Sequence, residues 1–323
     1  MGRWIQIAVV FCLGLFPMCE TLAQAPTSVP TFVNARSDVN QDSVVNAEDL
    51  VILMQDWGKV NDPEKITIEI PGLPEGARPM RLVRIPAGTF QMGAPDAERG
   101  RNTTWESPVH TVTLTNDYFM GETEVTQAQW QAIMGSNPAQ NYGVGNDYPV
   151  YYVYREDITG STGFLSRLDA QSRYNGFRLP TEAEWEYACR AGTRTRFSFG
   201  DALSCDDSCG TCPLADQHMW WCGNNSPDGS KPVGGKVPNA FGLFDMHGNV
   251  WEWCQDFWSP VFYSQPEATR PNPLCTDSFY GPRVIRGGHW AYHAWSCRSA
   301  MRTGNSGGGY YYLGFRVVLP ASP

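Results

Sequence analysis

The sequence has few basic residues, no run of them, and only one long apolar stretch. Its 24 lysines and arginines stand against 33 aspartates and glutamates, which gives a formal net charge of −9. A surface of this sign repels phosphate backbones and anionic lipids, so we predict no nucleic-acid partner. No apolar stretch after residue 23 is long enough to cross a bilayer, so we predict no membrane span in the mature chain.

The long apolar stretch lies at the N-terminus. Arg3 precedes a mostly apolar run over residues 4–16, and small residues suited to cleavage lead up to Ala23. This order is typical of a secretory signal peptide. We therefore predict a signal peptide over residues 1–23 and export to the periplasm, the cell surface or the medium.

Composition divides the remaining chain into four parts. Residues 24–37 are rich in proline, threonine and serine and are predicted to be a linker, and residues 38–60 form a compact unit. Residues 61–80, with several prolines, are predicted to be a second linker, and residues 81–320 show no clear break. The 12 tryptophans, 32 glycines and 24 prolines indicate a loop-rich main domain held by aromatic packing.

Three local patterns predict secondary structure in the main domain. Residues 111–114 alternate polar and apolar side chains and predict a half-buried strand. Thr126 and Thr181 each precede a glutamine or glutamate by three residues, which is the pattern of a helix-capping box. Gly135 and Gly192 are predicted to end these two helices.

Eight of the ten cysteines lie beyond the signal peptide, and in an exported chain they favour disulfides. Eight cysteines allow about 105 pairings, so the pairing stays open. Cys209 and Cys212 have the spacing of a redox motif, and with Cys205 and Cys222 they could also hold zinc. Their loop-like flanks favour disulfides over both alternatives.

Residues 38–49 carry oxygen-bearing side chains at the spacing by which a short loop wraps a hard cation. The predicted calcium ligands are Asp38, Asn40, Asp42, Asn46, Asp49 and the backbone carbonyl of Val44. The alternative is a solvated turn without metal. The stretch resembles a dockerin type I repeat, which implies a cohesin as a partner, although dockerins usually have two repeats and this chain has one.

Nine short motifs follow one another along the main domain. They are residues 86–93, 108–110, 121–126, 178–188, 238–243, 248–253, 287–290, 297–300 and 314–316. Together they resemble the formylglycine-generating enzymes, the sulfatase-modifying factor family. The resemblance implies an irregular α+β fold related to C-type lectins, loop-rich, with few short helices and strands.

The resemblance also implies a calcium site in the main domain. Its ligands would be the side chains of Asp245 and Glu252 and the backbone carbonyls of Gly248 and Val250. Hard oxygen ligands in a loop-rich domain suit calcium. A hydrogen-bonded turn without metal is the alternative.

Oxidases of this family hold Cu(I) with two cysteines that follow a Gly-Gly pair. Counted forward from Gly288, the first falls on Tyr292 and the second on Cys297, which are the candidate catalytic positions. Counted backward from Gly314, Arg302 matches a family arginine and Cys297 matches neither copper ligand. A two-thiolate site cannot be built from these residues, so we predict calcium and no copper.

Other residues of this segment are candidates for a groove or a metal site. His289 and His293 are four apart and could present two imidazoles on one face of an extended segment. Two ordinary polar contacts are the simpler interpretation. Trp290, Arg302 and Arg316 are further groove candidates. For Arg316 the favoured interpretation is a buried arginine beside a carboxylate.

Two functions remain from the sequence. The first, implied by the resemblance, is an oxygen-dependent formylglycine-generating oxidoreductase acting on the cysteine of a sulfatase Cys-x-Pro-x-Arg motif. The second is a non-catalytic, calcium-stabilised, lectin-like binding module attached to the dockerin-like unit. The corresponding partners are a sulfatase-type polypeptide and a carbohydrate.

Overall fold

The computed structural model describes residues 65–201, 203, 205 and 208–321. The predicted signal peptide, the linker at 24–37 and the calcium loop at 38–49 lie outside the described residues. Within the described part, the strands are β1 (Lys65–Ile68), β2 (Met80–Ile85), β3 (Gly88–Met92), β4 (His110–Leu114), β5 (Tyr118–Gly121), β6 (Trp251–Phe257), β7 (Arg283–Arg286), β8 (Arg302–Asn305), β9 (Leu313–Gly314) and β10 (Val318–Pro320).

The helices are short and lie mostly between β5 and β6. They are α1 (Gln127–Met134), α2 (Arg155–Thr159), α3 (Phe164–Gln171), α4 (Glu182–Arg190) and α5 (Pro213–His218), with 3-10 turns at Phe262–Ser264, Pro266–Thr269 and Ala294–Cys297. Long irregular connections join these elements. The predicted loop-rich α+β fold is therefore confirmed.

The strands form three sheets. One has the order β1-β2-β5-β10, with all neighbours antiparallel, and a two-stranded sheet pairs β3 with β4. The third has the order β8-β7-β6-β9, in which β6 and β9 are parallel. The segment from Lys65 to β2 was expected to be a linker, but β1 pairs with β2, so this part of the chain belongs to the domain.

The sequence predicted the strand β4 and both capped helices. Thr126 accepts a hydrogen bond from the backbone of Gln129, and α1 ends at Gly135 in the left-handed conformation. Thr181 caps α4 in the same way. Helix α4 ends one residue earlier than predicted, because Ala191 already adopts a left-handed φ of 46°.

Apolar side chains fill two main buried clusters, one on each face of β2. Leu82 packs in one cluster with Trp130 of α1 and Trp253 of β6, whereas its neighbour Val83 packs in the other with Trp185 of α4. Successive side chains of a strand point to opposite faces, so both faces of this sheet are covered. In the described part of the chain, no helix combines the length and the apolar character that a membrane span requires.

Candidate functional site

Helix α4 places two carboxylates in the interior. Glu182 accepts hydrogen bonds from Arg302 at 2.6 and 2.7 Å. Glu186 pairs with Arg190, one turn along the helix, and with Arg286 of β7. All five side chains are buried, and a buried carboxylate is stable only when it is paired and hydrogen-bonded. Helix α4 is therefore an ionic scaffold for the strands around it.

Two more arginines complete this arrangement. Arg298 contacts Glu98 at 2.5 Å and Glu106 at 2.8 Å. Arg316 donates to both oxygens of Glu252, at 2.7 and 2.6 Å. The buried ionic core, as we name it, consists of Glu98, Glu106, Glu182, Glu186, Glu252, Arg190, Arg286, Arg298, Arg302 and Arg316.

This core corrects one expectation. Arg302 and Arg316 are candidate groove residues in the sequence, yet both are 0% exposed and each is held by a carboxylate. They line no surface groove. For Arg316 the structural interpretation, a buried arginine with a carboxylate partner, is confirmed.

The turn with the predicted calcium ligands is buried. Asp245 accepts a hydrogen bond from the backbone of Gly234 at 2.6 Å, and its other oxygen is buried without a hydrogen-bond partner among the described residues. Glu252 is already occupied by Arg316 and by the indole of Trp185 at 2.7 Å. Gly248 and Val250 lie on the chain between the two carboxylates.

Glu124 is a further carboxylate of this neighbourhood, and the sequence analysis missed it. Both of its side-chain oxygens are buried and lack a hydrogen-bond partner in the described part of the chain. Burial, and next the charge of Asp245, raise the pKa of Glu124, and burial raises the pKa of Asp245 to about 6. Carboxylate oxygens are the ligand type that calcium takes, and Asp245 and Glu124 offer unpartnered ones, whereas Glu252 is neutralised by Arg316.

A tight turn at Gly287 and Gly288 positions the following segment. Their φ angles are 100° and 76°, a conformation that glycine adopts without strain. A Cβ at Gly288 would lie 2.6 Å from the sulfur of Cys297. The turn thus lies directly against Cys297, which is 0% exposed.

The two predicted histidines have different surroundings. His289 is 2% exposed, and its ring packs 4.2 Å from that of Tyr292 and 4.6 Å from that of Tyr312, measured between centroids. Burial lowers the pKa of His289 to about 3, so it is neutral at physiological pH. His293 is exposed and lies with Nδ1 3.3 Å from the sulfur of Cys209.

Aromatic rings cover the surface beside this turn. Tyr142 stacks against Tyr311 at 4.5 Å and against Trp290 at 5.7 Å. Tyr292 and Tyr310, at the margin, are 47% and 43% exposed. The aromatic surface, as we name it, comprises Tyr142, Tyr152, Trp290, Tyr292, Tyr310, Tyr311 and Tyr312.

Two disulfides staple the loop next to this surface. They join Cys205 to Cys212 and Cys209 to Cys222, so the preference for disulfides in this loop is confirmed. The backbone N–H of Cys222 donates to the carbonyl of Tyr292 at 3.1 Å, which ties the loop to the aromatic surface. The other cysteines of the described residues lie buried outside both disulfides, namely Cys189, Cys254, Cys275 and Cys297.

The segment after the Gly-Gly turn does not fit a copper site made of two thiolates. Tyr292, at the first expected position, presents an exposed phenol, and Cys297 is sealed in the interior. Cu(I) prefers soft sulfur ligands, and two must reach one point that a substrate can also reach.

Comparison with known proteins agrees with the fold and the motifs. The Sulfatase-modifying factor enzyme 1-like domain matches residues 72–321. The formylglycine-generating enzyme of Streptomyces coelicolor is 32% identical over 276 residues, which covers 69% of this chain and 84% of that protein. The mouse formylglycine-generating enzyme is 28% identical over 317 residues, covering 78% of this chain and 79% of that protein.

Two solved structures are also similar. PvdO from Pseudomonas aeruginosa has a TM-score of 0.65 at 26% identity and covers 75% of this chain and 95% of its own. Treponema denticola variable protein 1 has a TM-score of 0.62 at 28% identity, with coverage of 80% and 99%. Matching motifs, fold and family profile lead to one conclusion: this chain belongs to the sulfatase-modifying factor family.

Proposed function

We propose that this protein is an exported binding member of the sulfatase-modifying factor family. Its ligand would be an extended polypeptide segment of the sulfatase type, Cys-x-Pro-x-Arg, held on the aromatic surface without copper-dependent oxidation. The observation that carries the proposal is the ring stack of Tyr142, Tyr311 and Trp290 beside the Gly-Gly turn. Export by residues 1–23 and calcium binding by residues 38–49 and by Asp245 belong to the same proposal.

The chemistry of the surface suits this ligand. Proline-containing segments dock on aromatic-lined surfaces because their backbone is already extended. An arginine of the ligand gains cation–π attraction over the face of a tryptophan or tyrosine ring.

The test is calorimetric titration of the full chain with a synthetic Cys-x-Pro-x-Arg peptide. We expect binding, and about tenfold weaker binding when proline or arginine is replaced by alanine, a loss of about 1.4 kcal/mol. Tyr311→Ala is expected to weaken binding similarly. Phe279→Ala is the matched control, because Phe279 is 83% exposed and lies outside the aromatic surface. Binding of a neutral oligosaccharide, with none of the peptide, would overturn the polypeptide assignment.

A second candidate function is the oxidase itself. It is favoured by the relatives named formylglycine-generating enzyme, of which the Streptomyces protein is covered over 84% of its length. Incubation with copper, oxygen and the peptide, followed by mass spectrometry, distinguishes the two functions. We expect the peptide thiol to persist; replacement of the thiol by an aldehyde would establish the oxidase instead.

A further inference from the structure

Three potential metal ligands from distant parts of the sequence meet beside the aromatic surface. They are the sulfurs of Cys209 and Cys222 and the imidazole of His293, whose ligand atoms all lie within 4.8 Å of one another. The Nδ1 atom of His293 is 3.3 Å from the sulfur of Cys209. The two sulfurs are joined in a disulfide, so in this state they cannot act as thiolates.

The protein holds two of these ligands in place by contacts that do not depend on the disulfide. Cys222 packs against a small buried cluster that includes Phe197 and Ala294, and its N–H donates to Tyr292. His293 precedes the 3-10 turn Ala294–Cys297, whose first residue belongs to the same cluster. Reduction would therefore leave Cys222 and His293 in place, with Cys209 beside them.

We propose that reduction of the Cys209–Cys222 disulfide creates a zinc site with these two thiolates and His293 as ligands. A dithiol supplies two electrons and two protons, is itself oxidised to a disulfide, and leaves two thiols on the protein. Zinc binding then releases the two thiol protons, and His293 ligates in its neutral form. The disulfide is thus the closed state of a redox-gated metal site.

The ligand set and the exposure favour zinc with an open coordination position. Zinc takes thiolate and imidazole ligands in a tetrahedral arrangement, and sites with three protein ligands keep the fourth position for water or another molecule. Cys209 and His293 are exposed and Cys222 is half-buried, so solvent can reach the fourth position. This inference is independent of peptide binding, since it needs only the three ligands.

A four-cysteine site is the competing arrangement in the same loop. It would use Cys205 and Cys212 and leave out His293. Cys212, however, is 0% exposed and packs in the same small buried cluster, directly before the start of α5. Its sulfur would have to leave this packing to join the others, which favours the site with His293.

The experiment compares zinc binding by the full chain before and after reduction with a phosphine, read out by competition with a chromophoric chelator. We expect tight binding of zinc only after reduction, and a thiolate-to-metal absorption band when cobalt(II) replaces zinc. His293→Ala is expected to weaken zinc binding about tenfold or more, and Cys209→Ser to abolish it. His218→Ala serves as the matched control, because His218 stacks on Phe199 near the loop and is not among the three ligands.

Three results would overturn the proposal. Unchanged affinity in His293→Ala, together with loss of binding in Cys205→Ser, would assign the four-cysteine site. Equal zinc binding with and without reductant would place the metal elsewhere. Loss of the near-ultraviolet circular dichroism on reduction would show that the reduced chain does not keep the fold that the site requires.

Discussion

Two regions of the domain differ in their roles. One is the buried ionic core. The other is the exposed face formed by the aromatic surface and the Cys209–Cys222 disulfide. Motifs that carry the family resemblance, such as residues 178–188 and 314–316, supply side chains to the core. The exposed face carries the residues that differ from a copper oxidase, including Tyr292. The difference teaches that family membership follows from the core, whereas the activity must be decided on the exposed face.

Breaking one pair of the core should give the largest effect. Glu186→Gln removes the charge that faces Arg190 and Arg286, which leaves Arg190 without its carboxylate and Arg286 with Glu182 alone, at 3.8 Å. We expect the free energy of unfolding, measured by urea denaturation, to fall by about 3–5 kcal/mol. The exposed pair of Glu267 and Arg270 provides the control, and Glu267→Gln should cost less than about 0.5 kcal/mol. Similar losses in both variants would contradict a structural role of the core.

Calcium should have the next largest effect. Chelation is expected to lower the free energy of unfolding of the main domain by about 2.7 kcal/mol relative to calcium at 100 times its Kd. The physical reason is that the ion would compensate the unpartnered carboxylate oxygens of Asp245 and Glu124. Thermal unfolding with and without chelator measures the effect. Asp245→Asn should remove it from the main domain, whereas Asp38→Ala should not.

Acid should weaken the domain through His247. This histidine is buried, with Nδ1 hydrogen-bonded to the Cys297 carbonyl and Nε2 accepting from the backbone N–H of Ser198. Burial lowers its pKa to about 4, against the opposing effect of the Cys297 carbonyl. As the pH falls below about 6.5, the unfolded chain takes up a proton that the folded chain does not, and stability is lost. Between pH 7 and pH 5, we expect the free energy of unfolding to fall by about 1–2 kcal/mol because of this imidazole.

The variant His247→Gln isolates that contribution. Its destabilisation relative to the native chain should shrink as the pH falls from 7 to 5, because glutamine does not titrate. Urea denaturation at several pH values measures the difference. A difference that stays constant over this range would mean that His247 does not titrate in the unfolded and folded states as described.

The smallest effect is expected on the exposed face. Tyr292→Ala should change the free energy of unfolding by less than about 0.5 kcal/mol, because the side chain is 47% exposed. The same substitution should weaken binding of the Cys-x-Pro-x-Arg peptide. Weakened binding with unchanged stability would support a binding role for the exposed face, in contrast to the structural role of the core. A large loss of stability would contradict that distinction.

Local sequence signals predicted the parts of the fold that depend on neighbouring residues. The capping boxes at Thr126 and Thr181 each involve residues three positions apart, and both helices are present. The linker prediction is wrong from residue 65 onward because β1 pairs with β2, and one short strand carries little periodicity.

The candidate site could not be predicted from the sequence, because it depends on contacts between residues that are far apart in the chain. Arg302 lies 120 residues from its partner Glu182, and Cys209 lies 84 residues from His293. The disulfide pairing was one choice among many. Glu124 is one of two glutamates in the motif 121–126, and no local pattern distinguishes it, since its importance comes from burial and from the charge of Asp245.

The contact between Gly288 and Cys297 limits how this domain could be redesigned. Because the sulfur fills the space that a side chain at Gly288 would need, the cysteine acts as packing material beneath the turn. An engineer who introduced Tyr292→Cys would gain one accessible thiol and no second, since Cys297 would stay sealed. Grafting an oxidase onto this scaffold would thus require a rebuilt loop over residues 289–297, not a single substitution.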